Sequence, residues 1–432
     1  MTSLLQTFTN IRRQEVLPTL VAGLFFFCIL SALMVVRPAR EALGMQRGIE
    51  AIRWLFLATL MVTLLVNPLF SLLVSRFRRL IFITTTYTFF ALGLLCFYAL
   101  LTLSPAHIGS VSGQVFYVWF SVFNLFATML FWALMSDRFS KEQSQRLFAA
   151  ISLGGTLGAM FGPWLASTLA KPFGTPLLLV IAAGFLMGAV ASAWWLSYLK
   201  DEVANSAQVD SEEAIIGGSA WEGFTAVIRS PYLLGISAYV LILAIVATLL
   251  YFTRLQMVAA LSLDTDTRTA AFARIDLYTQ AATFVLQAFL TSHLIKRFGI
   301  ALTLALLPIT VALGFIGLAL LGSLAALIAF EASFRAVQRG IMRPARETLF
   351  TTVPRAERYK AKAFIDTFVY RGGDALGSQT EGLLGRLGMG LAGLAWFAVP
   401  LAVIWMSLGL WLGYTQNKRN IPVTPPSHFK IS

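Results

Sequence analysis

Charge is what this chain of 432 residues lacks most: Asp, Glu, Lys and Arg together make up 12% of it. A soluble globular domain carries about a quarter, so an ordinary water-soluble fold is excluded. Cysteine is nearly absent as well. Cys28 and Cys96 sit in separate apolar runs without CxxC spacing or histidine neighbours, which excludes a disulfide framework and leaves both as packing or lipid-facing residues. His107, His293 and His428 are the only histidines, and no pair has ligand spacing, so no metal site is expected. The glycine-rich stretch GGTLGAMFGP, from Gly154, lacks the Gly-Lys-Ser/Thr ending of a phosphate loop. It carries Gly154, Gly158 and Gly162 at four-residue spacing, the pattern of a close helix-packing seam. No Ser, His and acid arrangement is visible, and neither a cofactor nor an enzymatic activity is expected.

What the chain has in abundance is apolar residues, 58% of the total, gathered into runs long enough to cross a hydrocarbon core of about 30 Å. Twelve runs read as spans, near residues 16–36, 54–74, 80–103, 114–136, 147–169 and 176–198, then 231–252, 270–292, 300–321, 324–342, 363–384 and 391–413. The first is too long for a signal-peptide core and no small-residue cleavage site follows it, so it counts as a span. The net charge of +13 does not point to nucleic acid, because the basic residues lie between apolar runs rather than along a polar stripe. With the N-terminus inside, Lys and Arg crowd the inner connections, so both termini are expected to be cytoplasmic. Against that rule, Arg37, Arg40, Arg47 and Arg53 fall in the first outer loop.

The longest polar interruption, 200–230, reads as a cytoplasmic linker. It divides an N-terminal six-helix half, 1–199, from a C-terminal half, 231–414, followed by a tail, 415–432. SRFRRLIFI after the second span and IKRFGIALT after the eighth form a weak repeat between halves. An all-α membrane protein of this plan resembles the major facilitator superfamily, whose substrate site lies near the midplane between parallel halves. A stronger repeat, RPAREAL at Arg37–Leu43 and RPARETL at Arg343–Leu349, does not follow that symmetry.

Charge placed inside a span costs at least about 2.5 kcal/mol for an Arg at mid-helix, so intramembrane charges are the candidate site. Glu331, Arg335, Arg339 and Arg343 recur every four residues, which sets them on one helical ridge. Arg335 and Arg339, deepest in the tenth span, read as substrate or gating residues, while Arg343 and Arg346 read as anchors of a helix end. The eleventh span holds Asp366, Tyr370, Arg371 and Asp374 around Gly372 and Gly373. That cluster is either a ligand site with a broken backbone or a structural ion pair packed through glycines. Arg274 and Asp276, two apart on the eighth span, point to different sides, leaving Asp276 for coupling or for an arginine of another helix. Asp137 and Arg138 end the fourth span, as a latch or a solvated turn.

FRAVQRGIMRPARETLFTTVPRAERYKAKAFIDTFVYRGGDALG, from Phe334 to Gly377, is similar to the corresponding region of bacterial relatives of the ATP/ADP translocases. WFSVFNLFATMLFWALMSDRF with EQSQRLF and GGTLGAMFGP, and RPARE after the first span, extend the resemblance to about a third of the chain. The resemblance implies a twelve-helix major facilitator-like fold and an anionic substrate. Members that exchange ATP for ADP look to depend on Lys and Glu in several spans, whereas here the second, fifth and twelfth spans contain neither. The expectation is therefore a secondary carrier of a small organic anion, a nucleotide or another phosphorylated metabolite. Arg37, Arg40, Arg335, Arg339, Tyr370 and Arg371 would bind it, and Asp276, Glu331, Asp366 and Asp374 would balance charge. The alternative is a proton-coupled carrier of an unrelated solute, with Asp276, Glu331 or Asp366 as proton carrier. The expected partners are the lipid bilayer and the solute, with no nucleic acid; the sequence does not set the oligomeric state.

Overall fold

The computed structural model describes residues 11–76, 79–103, 106–199 and 220–420. Most of the expected linker, up to residue 219, the tail from residue 421 with His428, and part of the SRFRRLIFI turn lie outside the described residues. Within them every regular element is helical. In chain order the helices are α1 Arg13–Gly44, α2 Ile49–Arg76, α3 Arg79–Leu103, α4 Ala106–Arg138, α5 Lys141–Phe173 and α6 Leu177–Tyr198. There follow α7 Ala220–Arg229, α8 Pro231–Ala259, α9 Thr265–Leu321, α10 Leu324–Val337, α11 Arg343–Leu349, α12 Arg355–Phe364, α13 Tyr370–Arg386 and α14 Leu391–Asn420. Gly299, at φ 67, breaks α9 into the eighth and ninth spans. Nine helical stretches among the described residues are long and apolar enough to cross a membrane. The eighth, tenth and eleventh expected spans, which bear the intramembrane charges, fall outside that set, and adding them to the nine gives twelve.

Helix α1 runs two turns past its expected end at Val36. The heptad RPAREAL is rich in strong helix formers, and Pro38 is absorbed inside the helix. Arg37 and Arg40 are therefore helical rather than in a loop, Arg47 ends a short 3₁₀ turn, and Arg53 already belongs to α2. The outer loop expected to hold all four shrinks to a connection ending at Gly48, whose φ of 89 needs a residue without Cβ.

The chain forms two compact units, one of residues 1–212 with 254–281, the other of 213–253 with 282–432. In the first, α1 packs along α5 through the predicted seam. A Cβ on Gly162 would meet the Ser31 carbonyl oxygen at 2.9 Å, and Gly154 and Gly158 face the Gly23 and Phe27 backbone more closely still. Such a seam gains its stability from backbone approach and dispersion, since lipid is as apolar as the side chains. Aromatic rings fill the space behind it: Phe26 stacks on Phe131 at 4.1 Å, and the buried Tyr87 hydroxyl donates to the Ala127 carbonyl at 2.7 Å. At the other end of α1, Glu15 accepts from both terminal nitrogens of Arg146, at 2.9 and 3.2 Å, next to the Ser140 cap of α5.

In the second unit the same device joins α8 and α13. Cβ atoms on Gly373 and Gly377 would lie 2.9 Å from the Leu241 and Ile245 carbonyl oxygens. Gly373 thus serves helix packing rather than ligand approach, and Gly372 has nothing within 4 Å.

Candidate substrate cavity

Two helices of the second unit each contain a π turn, and the site forms between those turns. The first, Gln338–Met342, separates α10 from α11. Pro344 in the first turn of α11 has no N–H and its ring crowds the preceding turn, so the wider π turn relieves the clash. The second, Ile365–Val369, separates α12 from α13. Ile365, Thr367 and Val369 are β-branched and crowd a tight α turn.

A cavity of about 360 Å³ lies here, lined by Leu243, Gln338, Arg339, Met342, Arg343, Arg346, Asp366, Tyr370 and Arg371. Four guanidinium groups thus face one lining carboxylate. Arg346 holds Asp366 at 3.0 Å and approaches Glu347 at 3.4 Å, and Glu347 is also bonded to Lys362. Arg371 contacts Asp374 at 3.3 Å, whose other oxygen accepts from the Thr248 hydroxyl at 3.3 Å. Arg343 has no acceptor among the described residues and is exposed. Glu347 lies beyond the tenth span. Partial burial raises its pKa, but hydrogen bonding and charge from Lys362 and Arg346 outweigh that and leave it below the usual glutamate value. Arginine outnumbers carboxylate on this wall, which gives the cavity a positive field.

Of the residues singled out in the sequence, Arg339, Asp366, Tyr370 and Arg371 line the cavity, and Asp374 stands behind Arg371. Gln338, Arg343 and Arg346 join them. The four-residue ridge is not continuous, because the π turn inserts an extra residue within it. Arg335 instead pairs with Glu331 on its own helix at 2.9 Å, and neither lines the cavity. Arg37, Arg40 and Asp276 belong to the other unit. There Asp276, 1% exposed at its side chain, lies 2.9 Å from Arg254 and 3.9 Å from Arg37. Arg40 sits over the Tyr117 ring at 4.0 Å. Arg254 was not foreseen; the one signal was an arginine two residues past the apolar run 231–252. The first unit also has a groove of about 1020 Å³ lined by α2, α3 and α4, with only Thr85, Thr86 and Gln114 polar.

Long apolar helices in two units, one with a cationic cavity, define a polytopic membrane carrier. The Major Facilitator Superfamily matches residues 19–338, and the chain belongs to that family. A mutant of the nucleoside transporter NupG has a similar fold, with TM-score 0.64 at 11% identity, covering 93% of this chain and 100% of that one. The POT family transporter PepTSo aligns with TM-score 0.65 at 11% identity, covering 93% and 98%. A bacterial homologue of the lysosomal transporter Spinster aligns with 0.60 at 15% identity, covering 95% and 99%. At these identities the likeness is one of fold. No curated protein sequence matches the chain.

Proposed function

We propose that this protein is a secondary carrier of a small organic anion, bound in the cavity between the two π turns. The observation that carries this reading is the excess of arginine over carboxylate on the cavity wall: Arg339, Arg343, Arg346 and Arg371 against Asp366. Guanidinium forks match carboxylate and phosphate oxygens, and a neutral solute would give such a wall no partner. The likeness of Phe334–Gly377 to bacterial relatives of the ATP/ADP translocases supports a phosphorylated solute, because both π turns and all four arginines lie within that stretch. Transport would proceed by rocking of the halves 1–199 and 231–414, with both termini on the cytoplasmic face of a bacterial inner membrane.

Thermal-shift measurements on the purified protein test the reading. Carboxylates or phosphorylated metabolites should raise the melting temperature and matched neutral solutes should not, while Arg339→Ala should abolish the shift with the fold retained. A folded Arg339→Ala protein with unchanged anion affinity would remove the basis of the assignment. One observation favours proton coupling as a second reading. Asp374 on α13, bonded to Thr248, shares Arg371 with the cavity, so an anion that draws Arg371 away would leave that carboxylate to take up a proton. Uptake into proteoliposomes separates the two: exchange requires internal counter-substrate, whereas coupling follows an imposed pH gradient.

A further inference from the structure

The cavity's shape and lining narrow the anion further, on the basis of the carrier reading above. At about 360 Å³ the cavity is at the small end of ligand sites. Its apolar surface consists of Leu243, Met342 and the ring of Tyr370, which offers no second aromatic face to enclose a nucleobase. The polar groups come from two walls. Arg343 and Arg346 project from α11 one turn apart, and Arg371 faces them from α13. A carboxylate presents two oxygens in one plane and serves one or two forks. A phosphoryl group presents three oxygens in a tetrahedron, and near neutral pH it carries about −1.5 to −2 charges.

The structure already contains a stand-in for such a group. Asp366 occupies one terminal nitrogen of Arg346 at 3.0 Å, yet its side chain is 35% exposed while that of Arg346 is 8% exposed. The guanidinium is fixed and its acidic partner is replaceable. We propose that the substrate is a compact phosphomonoester dianion whose phosphoryl oxygens take the place of Asp366 on Arg346, with Arg343 and Arg371 completing the cradle. Asp366 then returns to Arg346 when the substrate leaves, restoring the 3.0 Å pair.

Binding to the purified wild-type protein would be compared for glycerol phosphate, AMP and succinate, with glycerol as the neutral control. Glycerol phosphate should bind at least about tenfold tighter than AMP or succinate, and its affinity should rise from pH 5 to 7 as the dianion forms, the second phosphate pKa being about 6. Asp366→Asn should tighten glycerol phosphate severalfold by removing the competitor, and Arg346→Lys should weaken it about tenfold or more. AMP or succinate binding as tightly as glycerol phosphate overturns the compact-phosphate assignment while the anion reading stands. If none of the three anions binds, the anion reading falls with it. Unchanged affinity in Asp366→Asn, a partly exposed site where folding is not at stake, rules out the exchange on Arg346.

Discussion

The heptads Arg37–Leu43 and Arg343–Leu349 differ only in Ala42 against Thr348, and both bring their second Arg close to the following Glu, at 3.8 and 3.4 Å. Their surroundings differ in every other respect. In the first, the Glu41 side chain is 2% exposed, Arg40 lies on Tyr117, and Arg37 approaches the buried Asp276–Arg254 pair. In the second, Glu347 is 40% exposed, Asp366, 35% exposed, pairs with Arg346, and a cavity opens beside them. The motif therefore specifies a helix with two arginines one turn apart. Whether they fasten the core or line a cavity is decided by the elements packed against them.

The comparison breaks most sharply at the two aspartates. Asp276→Ala would leave Arg254, 2% exposed at its side chain, without its carboxylate, and thermal unfolding in detergent should show a loss of about 3–5 kcal/mol. Equal stability of Asp276→Ala and wild type would mean that the first heptad is as open as the second. Gly158→Val forces a branched side chain onto the Phe27 backbone and should cost about 1–3 kcal/mol or more, read as a lower melting temperature and yield. Arg40→Gln removes the cation–π contact with Tyr117, for about 1 kcal/mol in the same assay. Asp366→Ala, the counterpart of the first change, should shift stability by under about 1 kcal/mol, because its ion pair is partly solvated. The smallest effect concerns Glu347. Its lowered folded pKa means that its stabilisation is complete above the ordinary glutamate value of about 4.3 and fades as pH falls through the lower folded one. Lys362→Ala should flatten that acid limb of the stability curve by a few tenths of a kcal/mol, discounted for exposure.

The spans were legible in the sequence because a bilayer forces every crossing into about 20 apolar helical residues, and the eighth, tenth and eleventh crossings stood out by the charges they bear. The α1–α5 seam was legible for a related reason, since three glycines at four-residue spacing have few uses other than close packing. Arg339, Asp366 and Arg371 could be picked out because charge placed inside a span is costly, and Tyr370 because it follows Asp366 by four residues. The part that escaped was register. Counting by α periodicity carries Arg335 along with Arg339 and Arg343, whereas the π turn at Gln338–Met342 parts them and turns Arg346 into the cavity. The pairing of Asp276 with Arg254 was hidden because the two residues are 22 positions apart and meet only when α8 and α9 fold back on each other. Arg37 and Arg40 were assigned to a loop because the apolar run ends at Val36, and an apolar count cannot see a helix that continues on propensity alone.

Each π turn holds one residue more than an α turn needs, which amounts to a reserve of chain built into both walls of the cavity. At about 3.6 residues per turn, taking up that surplus would swing everything beyond it through roughly 100°. Arg343 and Arg346 on one side, or Tyr370 and Arg371 on the other, would then leave the hollow without either helix coming apart. Deleting a single residue within Gln338–Met342 would fix the wall in that rotated position and leave a folded protein with its arginines facing elsewhere.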